Sequence, residues 1–154
     1  MKIMDTKYQS GFTLIELMIA VAIIGIITVL TYPSYTDNVR RTNRADVRGI
    51  LLENAQFMQR VFTENDSFFP RATPATAPTL PFLVAPRNAT GSNRKYTIAV
   101  VVNAGGMGYT LTATPIGSMI TDVCGTYTLT DLGAKNAASG SPGGGLTVDD
   151  CWNK

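Results

Sequence analysis

Glu16 is the single charged residue between Phe12 and Thr36, in a run dominated by Leu, Ile, Val, Met and Ala. A lone carboxylate in such a run is costly without a partner. The small residues Ser10 and Gly11 stand before the run, and no A-x-A pattern follows it. An ordinary secretory signal is cut after its apolar centre. Here the order points to a cut in front of it, which keeps the apolar segment in the mature chain. Glu16 then lies one helical turn from a new amine on Phe12. A carboxylate near a helix N-terminus is favoured by the helix dipole. The amine, its own or a neighbour's, is a cationic partner for it. The plainer alternative is a snorkelling acid near the end of a membrane anchor.

Cys124 and Cys151 are the other reactive pair. An even count fits one disulfide in an oxidising compartment, and two unrelated buried thiols are the alternative. Closing the segment between them is worth roughly 3–4 kcal/mol in the chain-entropy picture. Asp122 and Asp131 flank a strand candidate, and Asp149 and Asp150 precede Cys151. They are candidates for a calcium site, with surface and turn acids the preferred reading. Trp152 reads as a packed or interface aromatic. The chain has no His, no nucleophile motif and no metal-ligand spacing. That argues against an enzyme, and no cofactor is expected. A net charge of +2 is too small to imply a nucleic-acid partner by itself.

Two kinds of element must position these residues. As a helix, Phe12 to Thr36 spans roughly 37 Å, enough to cross a bilayer. Lys2 and Lys7 precede it, and Arg40, Arg41 and Arg44 follow, so charge counting leaves its orientation open. The helical pattern continues through Val39, Val47, Ile50, Leu51, Asn54, Met58, Val61 and Phe62, a stripe that should pack on a sheet. Arg40, Arg41, Arg44 and Arg48 read as a solvated face rather than a lipid head-group or DNA patch. The helix should stop near Asn65. The proline-rich stretch 70–94 reads as a long loop. Strands are expected over 95–102, 109–116 and 125–130, with 146–148 as a short fourth. Short connections favour an antiparallel meander. Tyr109, Leu111 and Ala113 fall on one face of the second strand, and Thr110, Thr112 and Thr114 on the other.

The stretch GFTLIELMIAVAIIGIITVLTYPSY resembles the signal and first helix of type IV pilins. YPSY followed by NRADVRGILLENAQFMQRVFTENDSF is similar to type IVa pilins, above all minor pilins of the PilE type. CGTYTLTDLGAKNA and DDCW are also similar to that group. The resemblance implies an α+β fold. A long N-terminal helix, membrane-spanning in its first half, packs by its second half on a small antiparallel sheet of three to four strands. It implies a leader over 1–11, an anchoring and assembly segment over 12–36 and a periplasmic head over 37–154. That head holds the 70–94 loop and the disulfide-closed loop 124–151.

By the same resemblance, a prepilin peptidase would cut between Gly11 and Phe12, and Phe12 would be N-methylated. Glu16 would neutralise the Phe12 amine of an adjacent subunit. Gly25 and Pro33 would flank the part of the helix that loses regular structure in a filament, as a low-propensity residue and a missing donor suggest. The implied partners are other pilin subunits, the peptidase and an inner-membrane assembly platform. The subunit would wait in a bacterial inner membrane and end in an extracellular pilus. The rivals are a pseudopilin of a type II secretion system and a pilus-borne receptor for DNA or surfaces. For DNA, Arg87, Arg94, Lys95, Lys135 and Lys154 are the candidate cations, though scattered in sequence.

Overall fold

The computed structural model describes residues 11–73, 75–138 and 145–153, with the side chains of 29–34 outside the description. The expected leader before Gly11, the Pro33 ring and Lys154 therefore lie outside the described residues. Two compact units make up the chain, residues up to Asn38 and residues from Val39 onward. One helix, α1, runs from Leu14 to Asn65 and contributes to both. It continues without interruption through Gly25 and Pro33.

In the first unit, the side chains of α1 face no core. Leu14, Ile15, Leu17, Met18, Ile19 and Val21 are all more than half exposed. Among the described residues no helix is long and apolar enough to cross a membrane. The described side chains of the apolar run end at Thr28, short of the ~20 residues a bilayer needs.

In the second unit, the head, Val47, Ile50, Leu51, Asn54, Met58 and Val61 of α1 are buried, as the helical stripe predicts. Val39 departs from the stripe and is exposed. The helix stops at Asn65 because Asp66 adopts a left-handed φ of 54° and turns its N–H back to the Phe62 carbonyl at 2.8 Å.

The sheet is an antiparallel meander of five strands in chain order: β1 (Val84–Ala85), β2 (Tyr96–Val102), β3 (Tyr109–Pro115), β4 (Tyr127–Thr130) and β5 (Lys135–Ala137). Leu111 pairs with Leu129, and Ala113 sits between Ile98 and Tyr127. Alternation sends Tyr109, Leu111 and Ala113 inward against α1 and leaves the threonines between them on the outer face.

Three expectations need correction. The 70–94 loop contains β1, held down by buried Asn54. Its amide donates to the Phe82 carbonyl at 2.8 Å and accepts from the Phe82 N–H at 3.3 Å. The segment after β4 contains β5, so the sheet has five strands rather than three or four. Residues 146–148 form no strand, since Val148 begins a short helix, α2 (Val148–Asn153). Thr147 and Asp150 make a reciprocal cap there: Asp150 Oδ2 accepts from the Thr147 N–H at 2.8 Å, and the Asp150 N–H donates to Thr147 Oγ1 at 3.1 Å.

Candidate functional site

At the start of α1, Gly11 has no heavy atom near the position a Cβ would take, and Phe12 is 86% exposed. Thr13 caps the helix. The Glu16 N–H donates to Thr13 Oγ1 at 3.3 Å, and Glu16 Oε2 accepts from the Thr13 N–H at 3.0 Å and its hydroxyl at 2.9 Å. This Thr-x-x-Glu capping box satisfies two of the helix's free backbone donors. The carboxylate thus has a local structural role, and its recorded bonds all fall on one oxygen. Around it Phe12, Leu14, Leu17, Met18 and Val21 form an open apolar surface. The box was legible as T-x-x-E, a signal the apolar context hides.

In the head, Cys124 and Cys151 form the disulfide, with Cα atoms 5.7 Å apart. Both are fully buried. The Cys151 carbonyl accepts from Tyr127 Oη and Arg48 Nη1, each at 3.2 Å. Trp152 packs edge-on against Tyr127, its indole N–H donates to the Asn136 carbonyl at 2.9 Å, and Lys135 lies over its ring. It is a packed aromatic, as expected.

Asp122 corrects two expectations. Its side chain is fully buried, not a surface acid, and it is paired with Arg44, whose side chain is 13% exposed. Arg44 Nε donates to the two carboxylate oxygens at 3.1 and 3.0 Å and Nη2 donates to Oδ1 at 2.5 Å, so two guanidinium nitrogens hold the carboxylate. Asp122 Oδ2 also accepts from the Cys124 N–H at 3.2 Å. Burial works against the Arg44 charge, but the hydrogen bond and charge of Asp122 outweigh it and raise its pKa. Arg44 and Arg48 therefore leave the solvated face to which they were assigned. Burial also pushes the Tyr127 hydroxyl up to about 12, with Arg44 pulling it down and Asp122 pushing it up.

The remaining acids do not converge on a cation. Asp131 accepts from the Tyr109 N–H at 3.3 Å, Asp149 from the Asn153 amide, and Asp150 caps α2. Among the described residues no group of His, Cys, Asp or Glu has metal-site geometry. The candidate cations for DNA are also dispersed in role. Arg87 pairs with Glu53 and lies over Phe82, and Lys135 lies over Trp152. Arg94 and Lys95 are adjacent at the start of β2, between two short 3-10 turns, Gly91–Asn93 and Gly117–Met119.

Known proteins add their own pattern. Residues 33–128 match the family described as type IV minor pilin ComP, DNA uptake sequence receptor. Residues 6–32 match the prokaryotic N-terminal methylation motif. The fimbrial protein EcpC of Eikenella corrodens is 32% identical over 108 residues, covering 70% of this chain and 63% of its own length. A fimbrial protein of Pseudomonas aeruginosa is 61% identical over 36 residues, 23% of each chain. The chain thus spans less than two thirds of the length of these relatives. Among solved structures, the non-core minor pilin PilV of Neisseria meningitidis is similar at 24% identity. That match covers 69% of this chain and 96% of that one, with a TM-score of 0.45.

Proposed function

We propose that this chain, which belongs to the type IV minor pilin family, is cut between Gly11 and Phe12 and enters a pilus through the apolar half of α1. The family is structural rather than enzymatic, and its members associate with other pilin subunits. The N-terminal methylation motif marks a membrane-anchored precursor. Beyond that, the reading is ours. A prepilin peptidase removes the leader, Phe12 is methylated, and the subunit waits in the inner membrane with its head in the periplasm. An assembly platform then extracts it.

One observation carries the reading: the described apolar side chains of Phe12–Ile27 are exposed while a complete core closes without them. Exposed apolar surface on this scale marks a membrane or protein interface. Lipid covers it before assembly and neighbouring helices afterwards, so burial is conserved across the transfer. Glu16 then exchanges lipid surroundings for the Phe12 amine of an adjacent subunit. Gly25, and Pro33 with its missing donor, are where α1 yields when it is packed into the filament.

Two substitutions test this. Gly11→Val blocks leader removal, read as an unshifted gel mobility. Glu16→Ala leaves a stable membrane-bound subunit that is depleted at least tenfold from sheared pili. Normal incorporation of Glu16→Ala would overturn the pairing model.

The family description favours a second reading, a receptor for DNA carried on the pilus. With Arg87 and Lys135 already engaged, that reading rests on the family description and, among the described candidates, on Arg94 and Lys95. Binding of duplex DNA by the full chain, weakening steeply with salt, supports it. No binding at low salt removes it.

A further inference from the structure

We propose that the end of the head where α1 enters it carries a docking surface for anionic phospholipid headgroups, used while the subunit waits to be assembled. The inference rests on the membrane-anchor reading above. Two parts of the chain, α1 and the residues just before β2, bring three cations to the segment 117–121. Arg40 on α1 donates through Nη2 to Thr121 Oγ1 at 3.5 Å. Lys95 donates through Nζ to Ser118 Oγ at 3.1 Å and to the Ser92 carbonyl at 3.5 Å. Arg94 is exposed beside it, held by Nε to the Gly91 carbonyl at 3.5 Å. The backbone fixes this meeting. The Lys95 N–H donates to the Ala85 carbonyl at 2.7 Å, and the Lys95 carbonyl accepts from the Ile116 N–H at 2.8 Å. Gly117, at φ +58°, then turns the chain so that Ser118 reaches Lys95 and Thr121 reaches Arg40.

Charge and position choose the occupant. Among the described residues no carboxylate lies within ion-pair distance of Arg40, Arg94 or Lys95. Asp37 is exposed and makes no ion pair with Arg40, and Asp46 lies by Pro86 and Arg87 instead. Asp122, next to Thr121, is buried and committed to Arg44. The patch is therefore cationic with hydroxyls interleaved, a surface for phosphate oxygens.

Ile120, 66% exposed, lies in sequence between Ser118 and Thr121. An exposed aliphatic side chain flanked by cations suits a bilayer interface, where the apolar group enters the acyl boundary and the cations hold the headgroups. The phosphates of a nucleic acid offer it nothing comparable.

The experiment uses the full chain in detergent micelles, titrated with phosphatidylglycerol or phosphatidylcholine, with bound lipid counted by native mass spectrometry. The wild type retains phosphatidylglycerol at least tenfold better, and salt erodes the difference. The double variant Arg94→Ser/Lys95→Ser lowers phosphatidylglycerol retention by about 30-fold, from ~1 kcal/mol per cation near an anionic surface. Its phosphatidylcholine retention and melting temperature stay unchanged. Arg40→Ser alone lowers phosphatidylglycerol retention about fivefold. Equal retention of the two lipids by the wild type overturns the inference, as does a double variant that keeps its phosphatidylglycerol. A double variant that keeps phosphatidylglycerol but loses a short DNA duplex reassigns the patch to nucleic acid, and also overturns it. An alkaline carbonate wash of phosphatidylcholine vesicles reads the anchor separately. A chain that stays upholds the anchor whatever the lipid counts, and one that washes off overturns the anchor and the inference together.

Discussion

The first half of α1 and the head use the same residue types to opposite ends. Ile15, Leu17 and Ile19 are more than half exposed, whereas Leu51, Leu111 and Leu129 are buried. Among the described residues Glu16 bonds within its own first turn. Asp122 finds its cation 78 residues away. The head closes on itself through long-range pairs, so its residues set stability. The described side chains of the first half of α1 are left apolar and exposed, so on the proposed reading its residues set where the chain goes. Removing a head group should therefore cost folding free energy and spare assembly chemistry, and a change near Phe12 should do the reverse.

The largest head effect belongs to Asp122. Asp122→Ala leaves Arg44 without its counter-charge and the Cys124 N–H without its acceptor. It should cost about 3–5 kcal/mol, read by denaturant unfolding through the fluorescence of Trp152. A cost near zero would mean the ion pair is ornamental and would blur the comparison. Next comes the disulfide. Cys124→Ser/Cys151→Ser should cost roughly 3–4 kcal/mol without changing cleavage of the leader. Loss of cleavage in that variant would break the separation between the two regions.

The smallest effect is at Tyr127. Tyr127→Phe removes the bond to the Cys151 carbonyl, about 1 kcal/mol. It also probes pH. The folded pKa of Tyr127 is raised by burial above the ordinary value near 10. The unfolded chain releases that proton first, so stability holds below pH 10 and falls as pH rises from 10 towards about 12. The Phe variant should show a shallower alkaline loss, with thermal unfolding at each pH as the readout. An unchanged slope would assign the loss to the other buried tyrosines, Tyr96 and Tyr109, whose hydroxyls burial also pushes up.

What was legible in the sequence follows the same divide. Periodicity exposed the end of α1 at Asn65 and strands β2 to β4, because those segments are long enough to show it. The pairing of Cys124 with Cys151 was likewise expected. Strands β1 and β5 are two and three residues long, and partner strands define them. Their own Pro- and Gly-rich surroundings argue for loop. Arg44 looks like Arg40 in a helical wheel, and only the fold brings Asp122 to one of them. Val148 joined a helix rather than a strand because Thr147 and Asp150 form a cap, a local signal outweighed by the β-branched pattern of Leu146, Thr147 and Val148. At Glu16 the observed helix cap coincides with the acid proposed for assembly, and the apolar run drew attention to the proposed role alone.

That double role makes Glu16→Gln the decisive substitution. Glutamine serves as well as glutamate in a Thr-x-x-Glu/Gln capping box, so helix and anchor should stand. It carries no charge for the amine of a neighbour's Phe12. Quantifying this subunit in sheared pili, against its level in the membrane, is the direct measurement. The account predicts that Glu16→Gln falls to the level of Glu16→Ala, at least tenfold below wild type, with membrane levels unchanged. Pili that carry Glu16→Gln at the wild-type level would show that the carboxylate is only a cap, and would contradict the pairing on which assembly is argued.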